Sequence, residues 1–373
     1  MFATLVTFFA GLAILTVGGE LLVRGASRLA ATVGISSLVI GLTVVAFGTS
    51  APEMAVSTIS ALKGDADIAI GNVVGSNIFN ILFILGACAL ILPLAISPQI
   101  VARDLPLMLA ASFSVALVGW DGAVSRGEGI LLFSGILVYT TLLIVQSRRA
   151  SRTQRAAAIH LAATSIHVTD EELAAQPATS SSHLRNLGFI VVGLVALVFG
   201  SQLLVEAAVT LAKSLGISEL VIGLTIVAAG TSLPEVATSI IAAIKGERDI
   251  AVGNVIGSSI FNILSVLGLS SAIAPNGVPV SPQAFAVDIP VMIAVALICV
   301  PFFAPSHTIG RAKGIFFLAA YGLYTSYLVL GSQQSESLPG FIAITTTVVA
   351  PAAAAFVLWL WVQDFRARRT SAA

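Results

Sequence analysis

The chain has 373 residues, of which 57% are hydrophobic and only 10% charged, and its 18 Lys and Arg are balanced by 18 Asp and Glu. Soluble domains carry about 25% charged residues, so this composition and a mean hydropathy of +1.02 exclude a soluble globular protein and mark an integral membrane one. A net charge of zero gives no pointer to nucleic acid, and the basic runs beside apolar stretches fit topology signals or contacts with anionic lipid, so no nucleic-acid partner is implied.

A helix needs roughly 20 mostly apolar residues to cross the hydrocarbon of a bilayer. Such stretches run near 2–23, 38–60, 68–92, 104–120, 128–146, 187–210, 220–243, 251–274, 285–304, 311–331 and 340–363, which predicts eleven spans. The first is too long, and too poor in basic residues ahead of it, for a cleaved signal peptide. Cys88 and Cys299 fall inside apolar spans without metal-like spacing and read as small core residues.

The second and third spans carry two motifs, Gly48-Thr49-Ser50-Ala51-Pro52-Glu53 and Gly71-Asn72-Val73-Val74-Gly75-Ser76-Asn77-Ile78-Phe79-Asn80. Both return 182 residues later, as Gly230-Thr231-Ser232-Leu233-Pro234-Glu235 and Gly253-Asn254-Val255-Ile256-Gly257-Ser258-Ser259-Ile260-Phe261-Asn262. Each copy holds five spans. Five is odd, so the second copy enters the membrane from the opposite side, and the repeats are inverted. Inverted repeats recur in secondary transporters, where the substrate site lies near the midplane at interrupted helices.

The expected fold is therefore an all-α polytopic membrane protein. It has a first five-span repeat over 1–146, a linker over 147–186, a second inverted repeat over 187–331 and an extra C-terminal span over 340–363. The linker is rich in Ser, Thr, Ala and His and ends near Asp170, Glu171 and Glu172. It reads as a cytoplasmic loop with a possible short helix, and its His160, His167 and His183 as solvated. Lys and Arg favour the cytoplasmic side. With the N-terminus outside, only Lys63, Arg126 and Lys213 of the 18 fall outside, which places the linker and the C-terminus in the cytoplasm and supports an eleventh span. The compact size and lack of an organelle signal point to a prokaryotic inner membrane.

Glu53 and Glu235 are the sharpest functional signal. An ionisable group within a span costs roughly 2.5–3.5 kcal/mol on insertion scales and usually faces a pathway or a partner, and neither glutamate has an evident basic partner in its helix. Pro52 and Pro234 lack an N–H and clash with the carbonyl four residues back, so each helix should break near Gly48 and Gly230. Backbone oxygens released near Ala46, Thr49, Ala228 and Thr231 can then coordinate a cation. Ser76 with Asn80, and Ser258 with Asn262, stand at i and i+4 on single helix faces and can face the glutamates. Hard oxygen donors of this kind suit Ca²⁺, which takes six to eight of them, and also Na⁺.

Several other polar residues read as structural. Asn72 and Asn254 read as hydrogen-bonding glue between helices, and Gly71, Gly75, Gly253 and Gly257 as small residues that let helices approach. Asp65, Asp67, Asp104, Glu247, Asp249 and Asp288 fit helix N-terminal caps. Glu20 has Arg24 or Arg28 as candidate partners.

The paired motifs resemble the α-repeats of the sodium/calcium exchanger family, within the calcium/cation antiporter superfamily. That resemblance spans both halves and implies ten core helices, with the second, third, seventh and eighth packed around the sites and the long first and sixth sliding to alternate access. It assigns Glu53 and Glu235 as carboxylate ligands, and Thr49, Ser50, Thr231, Ser232, Ser76 and Ser258 as oxygen ligands around them. Ala46 and Ala228 would give carbonyls, and Asn80 and Asn262 would complete the centre. Some microbial relatives carry an aspartate where this chain has Asn262, so here the site holds two formal negative charges.

The function expected is secondary antiport of Ca²⁺ against Na⁺ at one midplane site. The alternatives are exchange of Ca²⁺ or another divalent cation for H⁺, since a carboxylate in an apolar site can itself carry a proton, and a passive cation channel. The partners expected are the transported ions and membrane lipid. There is no sign of a hydrolytic enzyme or a bound cofactor, since neither a phosphate-binding loop nor a protease-like spacing occurs.

Overall fold

The structure is a computed structural model that describes residues 2–63, 66–164, 180–214, 228–304 and 306–372. Asp65, His167, Asp170, Glu171, Glu172 and residues 220–227 of the expected seventh span lie outside them. Among the described residues nine helices are long and apolar enough to cross a membrane, or ten if one bent pair counts as a span.

The first repeat opens with α1 (Phe2–Val33), which stops where Gly34 takes a φ of +69° and its N–H turns back onto the Ala30 carbonyl. This is the left-handed C-terminal turn that glycine adopts without a Cβ clash. Helix α2 (Ser37–Thr49) begins under a Ser36 cap that accepts the Val39 N–H. It breaks at Ser50 and resumes as α3 (Ala51–Lys63) at a 45° bend. Pro52 sits in the first turn of α3, where a missing N–H costs nothing. Helix α4 (Ile68–Ile91), α5 (Ile100–Val118) and α6 (Arg126–Thr164) complete the repeat.

The second repeat runs through α7 (Ser180–Ser214), a short turn at Ala228–Gly230, α8 (Leu233–Ile244), α9 (Arg248–Ile273), α10 (Ala284–Phe303) and α11 (Arg311–Ser332). Helix α12 (Leu338–Arg366) follows. The apolar, charge-poor eleventh stretch is thus helical and long enough to span. The linker expected over 147–186 is helical at both ends, because α6 continues to Thr164 and α7 begins at Ser180.

The molecule shows apolar side chains on its outside and keeps a cluster of polar ones within its apolar core. Leu117, Trp120, Leu131 and Leu184 are exposed, whereas Glu53, Ser76, Asn80, Glu235, Ser258 and Asn262 are buried. Hydrocarbon rewards this arrangement, since exposed apolar surface costs nothing there and polar groups need partners. Helix α9 forms the centre, with every residue from Ile250 to Phe261 buried.

Two short antiparallel ladders tie the repeats together. Leu94–Ala95 (β1) pairs with Thr308–Ile309 (β4), and Ala123–Val124 (β2) with Val278–Pro279 (β3). Pseudo-symmetric glycines do the same in the helices. A Cβ on Gly129 of α6 would lie 2.6 Å from the Ala272 nitrogen of α9, and one on Gly314 of α11 would lie 2.9 Å from the Gly86 oxygen of α4. Helices α1 and α7 form a separate close pair. A Cβ on Gly11, Gly18, Gly193 or Gly200 would come within 2.8 Å of the other helix's backbone, the small-residue contact that lets membrane helices touch.

The capping expected of three acidic residues, Asp104, Asp288 and Glu247, does not occur. Asp104 and Asp288 do not cap helices, because their spans start four residues earlier as π-helical turns at Ile100 and Ala284 and the aspartates lie inside continuous helix. They accept instead from the Tyr139 and Tyr324 hydroxyls at 3.0 Å, and Asp104 also from Gln99 at 3.2 Å. Glu247 makes no side-chain cap and accepts from Ser27 of α1 at 2.6 Å. Glu20 pairs with Arg24 at 2.8 Å and, across helices, with Lys245 at 3.0 Å. Of the motif glycines, Gly253 and Gly257 pack tightly on Leu38, Leu42 and Ala46, while no described atom comes within 4 Å of a Cβ on Gly71 or Gly75.

Candidate functional site

The helix breaks at Ser50 and after Gly230 put Glu53 and Glu235 in the first turns of α3 and α8, both fully buried. Helix N-termini present free N–H groups and a positive dipole end, which helps hold buried carboxylates. Among the described residues no ion pair reaches either glutamate.

The seryl groups of the two breaks cross between repeats. Ser50 Oγ donates to Glu235 Oε1 at 3.1 Å, and Ser232 Oγ donates to Glu53 Oε1 at 2.8 Å. Ser232 also lies 3.2 Å from Ser76 Oγ of α4. Thr49 and Ser258 stand beside the Glu235 carboxylate, and Thr231 beside that of Glu53.

Asn80 and Asn262 each begin a π-helical stretch, Asn80–Leu85 and Asn262–Leu267. Such a π-turn widens the helix by one residue and recurs at functional positions. Sequence periodicity carries no sign of it, which is why the reading of Ser76 with Asn80 rested on regular i, i+4 spacing. Ser76, Asn80, Ser258 and Asn262 are all buried at the core.

Buried polar atoms normally find a hydrogen-bond partner. Here Glu53 Oε2, Glu235 Oε2, Ser258 Oγ and both amide atoms of Asn80 and Asn262 make none among the described residues. Seven of the eleven such atoms belong to these five side chains. The donor set is all oxygen and amide, and no cluster of three His, Cys, Asp or Glu occurs among the described residues. Hard oxygen donors with two carboxylates suit an alkali or alkaline-earth cation. Ala46 is buried beside Thr49 at the break, and Ala228 opens the matching turn in the second repeat.

Two residues read as mere glue turn out to border this cluster. Asn254 Nδ2 donates to Ser239 Oγ at 2.9 Å and to the Glu235 carbonyl at 3.4 Å, while its Oδ1 accepts from Thr49 at 3.1 Å. Asn72 repeats the pattern with Ser57 at 2.9 Å, the Glu53 carbonyl at 3.2 Å and Thr231 at 3.3 Å. Ser57 and Ser239 also sit 182 residues apart, so the repeat offset was the signal that could have found all four.

The profile of the sodium/calcium exchanger protein family matches residues 3–145 and 185–330. The chain belongs to the sodium/calcium exchanger family. It is 40% identical to the inner membrane protein YrbG of Escherichia coli over 77% of this chain and 85% of that one. It is 32% identical to the sodium/calcium exchanger MaX1 of Methanosarcina acetivorans over 86% and 96%. The solved structure of the sodium-calcium exchanger NCX_Mj superposes with a TM-score of 0.71 at 31% identity, covering 87% of this chain and 98% of that one. The protein is therefore an all-α integral membrane cation antiporter with two family repeats, a transporter and not an enzyme.

Proposed function

We propose that this antiporter exchanges Ca²⁺ for Na⁺ by alternating access at one site near the membrane midplane. The observation that carries the reading is the pair of fully buried glutamates, each held by the other repeat's serine and, among the described residues, each without a basic counter-ion and with one carboxylate oxygen left without a hydrogen bond. Glu53 and Glu235 supply the negative charge that neutralises one divalent ion or two monovalent ones. Asn80, Asn262, Ser76 and Ser258 complete the centre, with Thr49, Ser50, Thr231, Ser232 and the carbonyls of Ala46 and Ala228 around it. The similarity to the sodium/calcium exchangers MaX1 and NCX_Mj supports Na⁺ as the coupling ion.

The same reading places the two repeats at 1–146 and 187–331, with 147–186 and the C-terminus in the cytoplasm, the N-terminus outside and 340–363 as an extra span in contact with lipid. The distribution of Lys and Arg supports the orientation, and the similarity to the inner membrane protein YrbG supports a bacterial inner membrane.

The test is Ca²⁺ uptake into proteoliposomes loaded with Na⁺ and diluted into Na⁺-free buffer, with pH clamped equal on both sides. Uptake that follows the Na⁺ gradient and is lost in Glu53→Gln is expected. Uptake absent there but present under a pH gradient would overturn Na⁺ coupling in favour of H⁺, and flux that dissipates gradients without counter-transport would show a channel.

A further inference from the structure

Resting on that reading, we infer that Asn72 and Asn254 are positioning residues of the exchange site, each fixing where the hydroxyl proton of the opposite repeat's threonine points. Thr49 has one hydroxyl proton and four acceptors around it: the Val45 carbonyl at 3.1 Å, the Ala46 carbonyl at 3.4 Å, Asn254 Oδ1 at 3.1 Å and the Glu235 carboxylate. A proton given to the Ala46 carbonyl or to the Glu235 carboxylate occupies an oxygen that would otherwise face the cation. A proton given to Asn254 keeps the hydroxyl hydrogen off both of those oxygens and leaves the lone pairs of Thr49 for the ion, while the Ala46 carbonyl keeps only its backbone bond from the Ser50 N–H at 3.0 Å.

The orientation of Asn254 settles the contest. Its NH₂ group faces the Glu235 carbonyl, which can only accept, and Ser239 Oγ. Its carbonyl oxygen therefore has to face Thr49, and at that oxygen Thr49 can only donate. Asn254 is fully buried, so no water competes for the bond. In the inverted copy Asn72 is locked by the Glu53 carbonyl and Ser57 Oγ, and its Oδ1 takes the proton of Thr231. Each asparagine thus anchors on the helix that carries its own repeat's glutamate and reaches across to the other repeat's threonine. The link joins the two halves of the site without either asparagine touching the ion.

The experiment is Ca²⁺ counterflow, the exchange of labelled for unlabelled Ca²⁺ across proteoliposome membranes, which needs no assumption about the coupling ion. Wild type, Asn254→Leu, Thr49→Val and the double variant are compared, with KM for Ca²⁺ and maximal rate per correctly folded protein read separately. Asn254→Leu is expected to raise KM roughly tenfold, the size of one lost buried hydrogen bond. The double variant is expected to be no worse than Thr49→Val alone, because the asparagine acts through the threonine.

Multiplying effects in the double variant, or a KM unchanged with only the amount of folded protein reduced, would show Asn254 to be structural glue and overturn the inference. Should Asn254→Leu fail to fold, the cycle of Asn72→Leu with Thr231→Val at the partly exposed copy gives the same reading. A wild type that shows no Ca²⁺ counterflow at all removes the Ca²⁺ reading itself, and this inference with it.

Discussion

Replacing Glu53 by glutamine separates a ligand role from a structural one by the sign of two effects. Gln keeps the shape of the side chain and the oxygen that accepts from Ser232 at 2.8 Å, and removes one of the two charges at the site. A divalent cation about 3 Å from a carboxylate, at an effective dielectric constant of about 20, interacts with it by roughly 11 kcal/mol. The amide dipole and the smaller desolvation cost return most of this. A net loss of only a quarter, roughly 3 kcal/mol, is already about a hundredfold in affinity.

Without cation the expected sign reverses. Two carboxylates buried without a counter-charge oppose folding, since an unpaired buried charge costs several kcal/mol, so Glu53→Gln should be about 1–3 kcal/mol more stable than wild type in chelator at pH 8. Thermal unfolding in detergent reads both effects. At a hundred times its Kd, Ca²⁺ stabilises the wild type by about 2.7 kcal/mol, a rise of about 3 °C for a chain of this length, and the same concentration should stabilise Glu53→Gln by only about 0.4 kcal/mol, a rise of about half a degree. A variant that is less stable in chelator, yet keeps the wild-type response to Ca²⁺ and its exchange rate, would refute the reasoning and return Glu53 to a structural role.

Two further outcomes test the packing around the site. Lys313 is almost fully buried and bonds Asp364 of α12 at 2.6 Å, Ser306 Oγ at 3.0 Å and the Phe302 and Thr308 carbonyls at 2.8 and 2.9 Å. Asp364→Ala should lower stability by about 1–3 kcal/mol, less than the 3–5 for a wholly buried pair because three acceptors remain, and should leave the Ca²⁺ KM unchanged; an unaltered melting temperature would show that the pair does not hold α12. Gly193→Val should abolish exchange, since its Cβ would stand 2.6 Å from the Leu22 nitrogen and force α1 and α7 apart, whereas Gly188→Ala, with no described atom within 4 Å, should be tolerated. Equal activity of the two variants in proteoliposomes would sink the close-contact account.

The fold class was legible because a membrane simplifies the code. Apolar stretches long enough to cross the bilayer leave a chain few options, and the odd number of spans per copy dictates inversion. Pro52 and Pro234 announced the helix breaks through a steric clash confined to one turn, and the breaks fall where that clash puts them, at Ser50 and after Gly230. Asp104 was misread for the opposite reason. A Pro two residues on looks like a helix start, but the span begins at Ile100 with a π-turn, and nothing local distinguishes the two.

By itself, then, the sequence determined that this is a membrane protein of two inverted copies, that each copy breaks a helix beside a buried glutamate, and which residue types could meet a cation. These follow from solvent transfer, chain periodicity and the missing N–H of proline, all local. Only the tertiary structure decided that Ser50 holds Glu235 while Ser232 holds Glu53, that Asn254 reaches Thr49 and Asn72 reaches Thr231, and that Lys313 fastens the last helix through Asp364. Those bonds join residues 51 to 205 positions apart in the chain. Hydrogen bonds act only over about 3 Å, so which of them form depends on how the two halves dock, and no local pattern encodes that.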